Sequence, residues 1–355
     1  MTASPEWQDC ITSLVQSPGL TVVVGASDTG KTTFCTQLLN AAVEAGLKAA
    51  LVDADIGQSE VGPPGTIALA ELTSPVERLS DLAARRMYFV GATSPVGNML
   101  QCVVGAKRMA DQAAAHGAEL IVVDTTGLVR GVIARKLKTY KIDLLSPAHV
   151  VVIQREQEAA PLVAALSKVD KYTIHCVAAP AVAQIKSPEL RAARRRLRFT
   201  KHFEGAEAHV IRLDDVSCWG TWLNTGRELP WQRIKAVEKI LKTRVLHAEA
   251  VGGGFYVVVE RAPTASDVKA LQETAQVRDI TVVVGSAFSN AYVGLMDSRA
   301  NTLDVGIVQA IDFGQRHMIA LSALKSVTPV RVVDFGLMRV RPDGTELAKL
   351  RPGEI

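Results

Sequence analysis

The stretch GASDTGKTT, residues 25–33, constrains the fold of this chain more than any other feature. It follows the apolar run LTVVV and precedes FCTQLLNAAVEAG, whose spacing indicates a helix. A glycine-rich turn between a strand and a helix lets backbone N–H groups converge on phosphate oxygens, and the helix adds its positive dipole end. We expect Lys31 to reach the β- and γ-phosphates of a nucleotide and the Thr32 hydroxyl to ligate Mg²⁺. The predicted nucleotide site comprises Gly25, Ala26, Ser27, Asp28, Thr29, Gly30, Lys31, Thr32 and Thr33.

Six apolar runs in the first half of the chain alternate with segments at helical spacing. The runs are LTVVVGA, KAALVDAD, RMYFVGA, ELIVVDTTG, HVVVIQRE and YTIHCVAAP. The helical segments include NMLQCVVGAKRMADQAAAHGA and APLVAALSKVD. This alternation predicts an α/β fold in which helices flank a parallel sheet. Because the runs are continuously apolar, we expect both faces of these strands to be buried.

The second half of the chain has a different character. With 355 residues, of which 48% are hydrophobic, the chain can bury two cores. Beyond about Ile234, strand-like pieces separated by Gly, Asp and Asn dominate, and only TASDVKALQETAQ indicates a helix. We therefore predict a P-loop domain over residues 1–234 and a smaller β-rich domain, of barrel or sandwich type, over residues 235–355.

Several classes of protein are disfavoured by the composition. The N-terminal segment contains Glu6 and Asp9 and no apolar core of a secretory signal, and no apolar stretch approaches the ~20 residues of a membrane span. The five cysteines lie far apart without a CxxC pair, and the seven histidines are scattered. These features favour a soluble, cytoplasmic protein with reduced thiols and without a Cys/His metal cluster.

Carboxylates end two of the predicted strands. Asp53 and Asp55 end KAALVDAD, and Asp124 ends ELIVVD. Each is a candidate for the second metal ligand beside Thr32, or else for capping the turn that follows. DTTG also has the DxxG form of GTPases, but SKVD, the weak counterpart of their guanine-reading motif, ends a helical segment instead of a strand. A GTPase is therefore disfavoured.

Basic residues concentrate in one segment. Residues 184–203 contain seven Lys or Arg and one acid, a local charge of +6 in a chain whose total is +4. Such a segment can be a solvated helix, a lid whose arginines stabilise a transferring phosphoryl group, or a contact for nucleic-acid phosphates. The segment contains Arg191, Arg194, Arg195, Arg196 and Arg198 at spacings that place several of them on one helical face.

Five motifs in order give the chain a resemblance to a known family. The motifs are GxxDTGKTT, DADIGQ, GPPGTI, DTTGLVRG and RRRLRFTKHFEG, over roughly residues 20–205. In this order the chain resembles the polynucleotide 5′-hydroxyl kinases, whose eukaryotic members act in pre-mRNA 3′-end formation, tRNA splicing and ribosomal RNA processing. The β-rich tail is similar to that of the compact prokaryotic members.

The resemblance implies roles for individual residues. It makes residues 25–33 the Walker A loop and Asp55 the acid that activates the hydroxyl and organises Mg²⁺, with Asp53 and Gln58 beside it. It implies a catalytic role for Lys31 of the loop, and catalytic roles for Arg194 and Arg198 in a lid over about residues 184–205. Leu128 stands where the family often has tryptophan. The implied contacts to the substrate's 5′ end are Thr125, Thr126 and Gly127, with Arg191 and Arg195 close by.

The implied reaction transfers the γ-phosphate of ATP, with Mg²⁺, to the 5′-OH of single-stranded or end-accessible RNA or DNA. RNA and DNA are not distinguished at this point, and no protein partner is assigned. Two alternatives stay open. One is an ATP-binding scaffold of an RNA-processing assembly that transfers nothing, and the other is a P-loop kinase of a small metabolite.

Overall fold

The computed structural model describes residues 4–181 and 186–355. By contacts the chain divides into two units, Met1–Arg198 and Phe199–Ile355. The first unit contains a seven-stranded sheet in the order β4-β3-β2-β5-β1-β6-β7. Strands β2, β5, β1, β6 and β7 are parallel, whereas β3 runs antiparallel to both of its neighbours. The strands are β1 Leu20–Gly25, β2 Ala49–Ala54, β3 Thr66–Leu72, β4 Arg86–Phe89, β5 Leu120–Thr125, β6 His149–Gln154 and β7 Thr173–Ala178.

Helices pack on both faces of this sheet and confirm the predicted α/β fold. Alternating residues of β1 enter different cores: Val22 and Val24 pack into one hydrophobic cluster and Val23 into the other. The inner strands are buried on both faces as expected, but β7, at the edge, is largely exposed. The helices are α1 Pro5–Gln16, α2 Lys31–Glu44, α3 Met99–Ala115, α4 Gly131–Leu145, α5 Ala160–Leu166 and α6 Pro188–Phe203.

The strand order determines which motifs meet. Strand β1 pairs with β5, which in turn pairs with β2, and all three are parallel. Their carboxyl ends therefore lie side by side, and those ends carry the glycine-rich loop, Asp124 and Asp53. Asp53 and Asp124 are direct neighbours in the register. Carboxyl ends of parallel strands are where α/β folds bind ligands.

The second unit has two sheets. One has the order β8-β16-β15-β14-β17-β18, with β9 added in parallel to β17, and the other has the order β10-β11-β12-β13. The strands are β8 Glu207–Arg212, β9 Ser217–Trp219, β10 Arg227–Glu228, β11 Val245–Val251, β12 Gly254–Val259, β13 Ile280–Val284, β14 Ala291–Met296, β15 Thr302–Asp312, β16 His317–Ser322, β17 Val332–Val340 and β18 Glu346–Lys349.

Strand β12 links the two cores of this unit because its side chains alternate. Tyr256 and Val258 pack into a cluster that contains side chains from both sheets. Val257 and Val259 pack into a second cluster under two helices, α7 Trp231–Leu241 and α8 Ala265–Ala275. The predicted β-rich character and the helix α8 are confirmed, whereas α7 is a second helix that the sequence prediction did not contain.

The division between the units lies earlier than the predicted boundary at 234/235, because the segment after α6 supplies β8 and β9. These strands pair with β16 and β17 of the C-terminal unit. The first two residues of the predicted lid, 184 and 185, lie outside the described residues. Among the helices that are described, none has the length and apolar character needed to cross a bilayer.

Candidate active site at the carboxyl ends of the strands

The glycine-rich loop is closely packed on both sides. Gly25 has no room for a side chain, since a Cβ there would lie 2.5 Å from the Ile153 carbonyl oxygen. Gly30 has φ +91°, a left-handed conformation that glycine adopts readily, and it lies against the Trp7 ring of α1. The Trp7 indole N–H donates to the Ala178 carbonyl at 2.9 Å. The loop is therefore held in a fixed shape at the start of α2.

Lys31 and Thr32, the two functional side chains of the loop, form hydrogen bonds with Ala26 and Asp124. Lys31 is only 6% exposed, and its Nζ donates to the Ala26 carbonyl at 2.9 Å. The Thr32 hydroxyl donates to Asp124 Oδ2 at 2.8 Å. Asp124 Oδ1 is buried and has no hydrogen-bond partner among the described residues. A buried carboxylate oxygen without a partner, next to a threonine hydroxyl, can ligate a cation or accept a hydrogen bond from water.

Burial raises the pKa of Asp124 to about 6, and the charge of Asp55 adds to this. The nearby Lys31 ammonium and the hydrogen bond from Thr32 act in the opposite direction. At neutral pH the carboxylate is thus ionised in a site that disfavours its charge. This arrangement favours a positive ligand, because a cation would offset the cost of desolvation.

We expect Asp124→Asn to stabilise the ligand-free protein at pH 7. A folded-state pKa above the ordinary value means that the unfolded chain releases the proton first, so stability falls as pH rises from about 4 to about 6. Over this pH range the free energy of unfolding of the wild type falls by about 3 kcal/mol, and Asp124→Asn has no carboxyl group to cause this fall. Urea unfolding at pH 4.5, 6 and 7.5 measures this. A wild type and variant with parallel pH dependence would contradict it.

Asp53 accepts hydrogen bonds from the backbone after β2, as in the capping alternative of the sequence analysis. Its Oδ2 accepts from the backbone N–H groups of Glu60 at 2.6 Å and Val61 at 2.9 Å, and Oδ1 accepts from that of Asp55 at 3.2 Å. Burial, together with the charge of Asp124, raises its pKa well above the ordinary value, while these hydrogen bonds oppose the rise. Asp53 therefore fixes the loop that follows β2, with no oxygen left without a partner.

Asp55 and Gln58 lie in the turn after β2. Asp55 is half-buried, and its Oδ1 accepts from the N–H groups of Gly57 at 3.2 Å and Gln58 at 3.1 Å. This is the turn-capping contact, and it fixes the carboxylate's orientation. The charge of Asp55 contributes to the raised pKa of Asp124 and opposes the lowering of the pKa of Lys138. Gln58 Nε2 donates to the Arg191 carbonyl at 3.3 Å and so reaches α6.

A buried lysine of α4 donates hydrogen bonds to the DTTG segment. Lys138 Nζ donates to Thr125 Oγ1 at 2.7 Å and to the Thr126 carbonyl at 2.6 Å. Thr125 Oγ1 also donates to the Val23 carbonyl at 2.7 Å, so this hydroxyl is committed to the interior instead of facing a ligand. Gly127 lies against the loop, since a Cβ there would lie 2.6 Å from Ser27 N.

Two lysines of α4 were missed by the sequence analysis. Lys138 and Lys141 are 1% and 0% exposed. Burial lowers the pKa of both, and for Lys138 it falls well below the ordinary value because Lys141 and Lys31 add like charges. Their signal was the helical spacing, which places both lysines on the same face as the buried Leu137 and Ile142.

The P-loop is tied to α6 through Asp28. Asp28 Oδ2 accepts from Arg191 Nη1 at 3.1 Å and from the Lys186 N–H at 3.0 Å. Lys186 Nζ adds an ion pair at 3.5 Å, and the Arg155 guanidinium donates to the Asp28 carbonyl. The basic segment thus lies over one side of the phosphate loop.

The remaining arginines of α6 differ in their surroundings. Arg198 forms an ion pair with Glu60, whose own N–H is held by Asp53. Arg194 is exposed and has no ion pair with any residue in 4–181 or 186–355, while Arg195 is half-buried. Arg191, Arg195 and Arg198 follow one face of the helix at intervals of three or four residues, with Arg194 beside them.

The residues present fit ATP and Mg²⁺. The loop from Gly25 to Thr33 has glycines at its first and sixth positions, and Lys31 can exchange its contact with Ala26 for a phosphate oxygen. Thr32 and the unpartnered Asp124 Oδ1 are oxygen ligands of the kind that Mg²⁺ takes. No group of three or more Cys, His, Asp or Glu side chains in the described residues is arranged to hold a metal alone. Phosphate oxygens and water would complete the coordination.

Comparison with known proteins identifies similar chains over most of the length. A profile of the family described as "mRNA cleavage and polyadenylation factor CLP1 P-loop" matches residues 25–205. The polyribonucleotide 5′-hydroxyl-kinase of Pyrococcus furiosus is 32% identical over 98% of this chain and 95% of its own length. That of Pyrococcus abyssi is 30% identical over 95% of this chain and 92% of its own.

The fold is also similar to that of a solved structure. A chain from the structure that describes the interface between Pcf11p and Clp1p has a TM-score of 0.60 to this chain. The match covers 93% of this chain and 78% of the other, at 12% sequence identity. At that identity the likeness concerns the fold alone.

Proposed function

Because the chain belongs to the Clp1 P-loop family, we propose that it is an ATP-dependent polynucleotide 5′-hydroxyl kinase with RNA as its substrate. Membership confirms the resemblance drawn from the five motifs. The archaeal relatives named polyribonucleotide 5′-hydroxyl-kinase match nearly the whole chain, which supports the choice of RNA. The observation that carries the proposal is the convergence of the phosphate loop, the turn with Asp55 and the arginine face of α6.

The proposed reaction is an in-line transfer. The oxygen of the RNA 5′-OH forms a bond to the γ-phosphorus of ATP while the bond to the β–γ bridging oxygen breaks, and ADP leaves. Asp55 orients the hydroxyl and accepts its proton, which then passes to water. Mg²⁺, when bound, neutralises charge on the phosphate oxygens.

The chain's own residues supply position and positive charge. We assign Lys31 to the β- and γ-phosphate oxygens, and Thr32 and Asp124 to the metal, with Asp55 close to it. We assign Thr126, Gly127 and Gln58 to the binding of the strand's 5′ end. Arg191 and Arg198 stand on either end of the arginine face and would stabilise the transferring group, because a planar guanidinium donates two hydrogen bonds to a phosphoryl group.

The proposal is tested by incubating the full chain with γ-labelled ATP, Mg²⁺ and matched RNA and DNA oligonucleotides. We expect label on 5′-OH RNA, none on the same strand carrying a 5′-phosphate, and none without Mg²⁺. Tight ATP retention without label transfer would contradict the proposal and favour a scaffold. Label on small hydroxyl metabolites but on no oligonucleotide would equally contradict it.

Arg198→Ala is expected to lower kcat by about 10²-fold while ATP affinity changes less than threefold, because a charge that acts in the transition state contributes little to ground-state binding. Steady-state kinetics and nucleotide titration measure the two effects. The matched control is Arg196→Ala, an exposed residue on the other side of α6. Equal losses of kcat and ATP affinity would show that Arg198 is structural.

A further inference from the structure

The C-terminal unit has a basic surface groove beside α7, with a volume of about 570 Å³, which we call the α7 groove. Two acids, Glu238 and Glu260, also line it, so its formal charge is +3. None of these residues belongs to the proposed transfer site. The cations that line the groove are Lys235, Lys239, Lys242, Arg244 and Arg261.

Part of this charge is already paired, and part faces solvent. Glu238 forms an ion pair with Lys235 at 2.6 Å and also accepts from the Val245 N–H at 3.1 Å. Lys242 pairs with Asp267 at 2.7 Å. In contrast, Lys239, Arg244 and Arg261 are exposed and form no ion pair within the part of the chain that the structure describes. These three cations are available for a ligand with several negative charges.

An exposed tryptophan adjoins the groove. Trp231, the first residue of α7, is 61% exposed, and Lys235 Nζ lies 4.9 Å from the centre of its ring. Trp231, Lys235 and Lys239 follow one stripe of the helix at intervals of four residues, and Lys242 comes directly after the helix ends. The stripe thus places a flat aromatic surface at one end of a row of cations.

We propose that the α7 groove binds the phosphate backbone of single-stranded RNA, with a base stacked on Trp231; the choice of RNA rests on the proposed function. Cations along a groove hold successive phosphates, and an exposed aromatic ring stacks on any base. An acidic peptide would use the cations but would leave the indole face without a planar partner. The groove therefore gives the C-terminal unit a direct contact with substrate or product strands.

The test measures binding of a fluorescent, 5′-phosphorylated RNA of about twelve nucleotides by anisotropy, without ATP. We expect the pair Lys239→Gln/Arg244→Gln to raise Kd about tenfold and to reduce the salt slope of log Kd by about 1.4. The control pair Lys269→Gln/Lys349→Gln removes the same charge outside the groove and should bind as wild type. Trp231→Ala should weaken binding about fivefold, and Trp231→Phe should retain most of it.

Equal Kd values and salt slopes for the two double variants would overturn the inference, and so would wild-type RNA binding by Trp231→Ala. A competition experiment gives a third such outcome, in which a polyglutamate peptide binds the groove and RNA does not displace it. The probe has no 5′-OH, so its binding does not require phosphate transfer. A protein that binds RNA through the groove but labels no strand contradicts only the proposed function. A protein that labels RNA while the groove variants bind normally contradicts only this inference.

Discussion

Replacing Lys31 by methionine is expected to lower kcat/KM for phosphate transfer by about 10³-fold, the largest effect of any single substitution in the site. Methionine keeps most of the side chain's volume in a position that is 6% exposed, so packing is preserved. What is lost is the ammonium group, which donates to the Ala26 carbonyl of the phosphate loop itself and whose charge acts on Asp124. We therefore expect a folded protein without transfer activity.

Label transfer from γ-labelled ATP measures the activity, and thermal unfolding measures the fold. Lys48→Met is the matched control, because Lys48 is an exposed lysine of the same unit. Activity within tenfold of wild type for Lys31→Met would remove Lys31 from the mechanism. A midpoint that falls by more than about 10 °C would instead show a structural role.

Gly127→Ala is expected to have the largest effect on nucleotide binding. The added Cβ would lie 2.2 Å from Ser27 Oγ and 2.6 Å from Ser27 N. Side-chain rotation can relieve the first clash, but only displacement of the phosphate loop relieves the second. Since the N–H of Ser27 belongs to the predicted phosphate cradle, we expect ATP affinity to fall at least about tenfold, at a cost in stability of about 1–3 kcal/mol.

Two further variants separate this steric effect from others. Gly314→Ala is the control, because the nearest atom to its new Cβ is at an ordinary 3.4 Å. Adding Ser27→Gly to Gly127→Ala removes only the hydroxyl clash, so ATP affinity, measured by nucleotide titration, should stay low. Full recovery in the double variant would show that backbone contact between the two loops does not matter.

The parts of the site that the sequence predicted share a physical basis. Glycines at fixed spacing specify the phosphate loop locally, and apolar runs that end in acids specify where parallel strands end. Which acid lies nearest the loop depended on strand order, which local patterns do not contain. The pairing of β1 with β5 places Asp124 there, with Asp55 one strand farther away.

The parts that were missed depend on tertiary contacts. Lysines in a helix are ordinarily exposed, so the helical spacing of Lys138 could indicate burial, but its contact with DTTG appears only once α4 is packed there. Strand β3 interrupts the strand–helix alternation because it joins β2 in antiparallel fashion without an intervening helix. Helix α7 begins directly after Pro230, and the local sequence does not distinguish a proline that begins a helix from one in a loop.

The contacts of Asp28 have a consequence for the order of events in a catalytic cycle. One carboxylate belongs to the phosphate loop and accepts from Lys186, just before α6, and from Arg191 in its first turn. Any ligand that strengthens these contacts stabilises the loop as well, and thermodynamic linkage makes the effect mutual. ATP and the acceptor strand would then raise each other's affinity. Dissociation of either product would lower the affinity for the other, so that one movement of α6 away from the phosphate loop would release both.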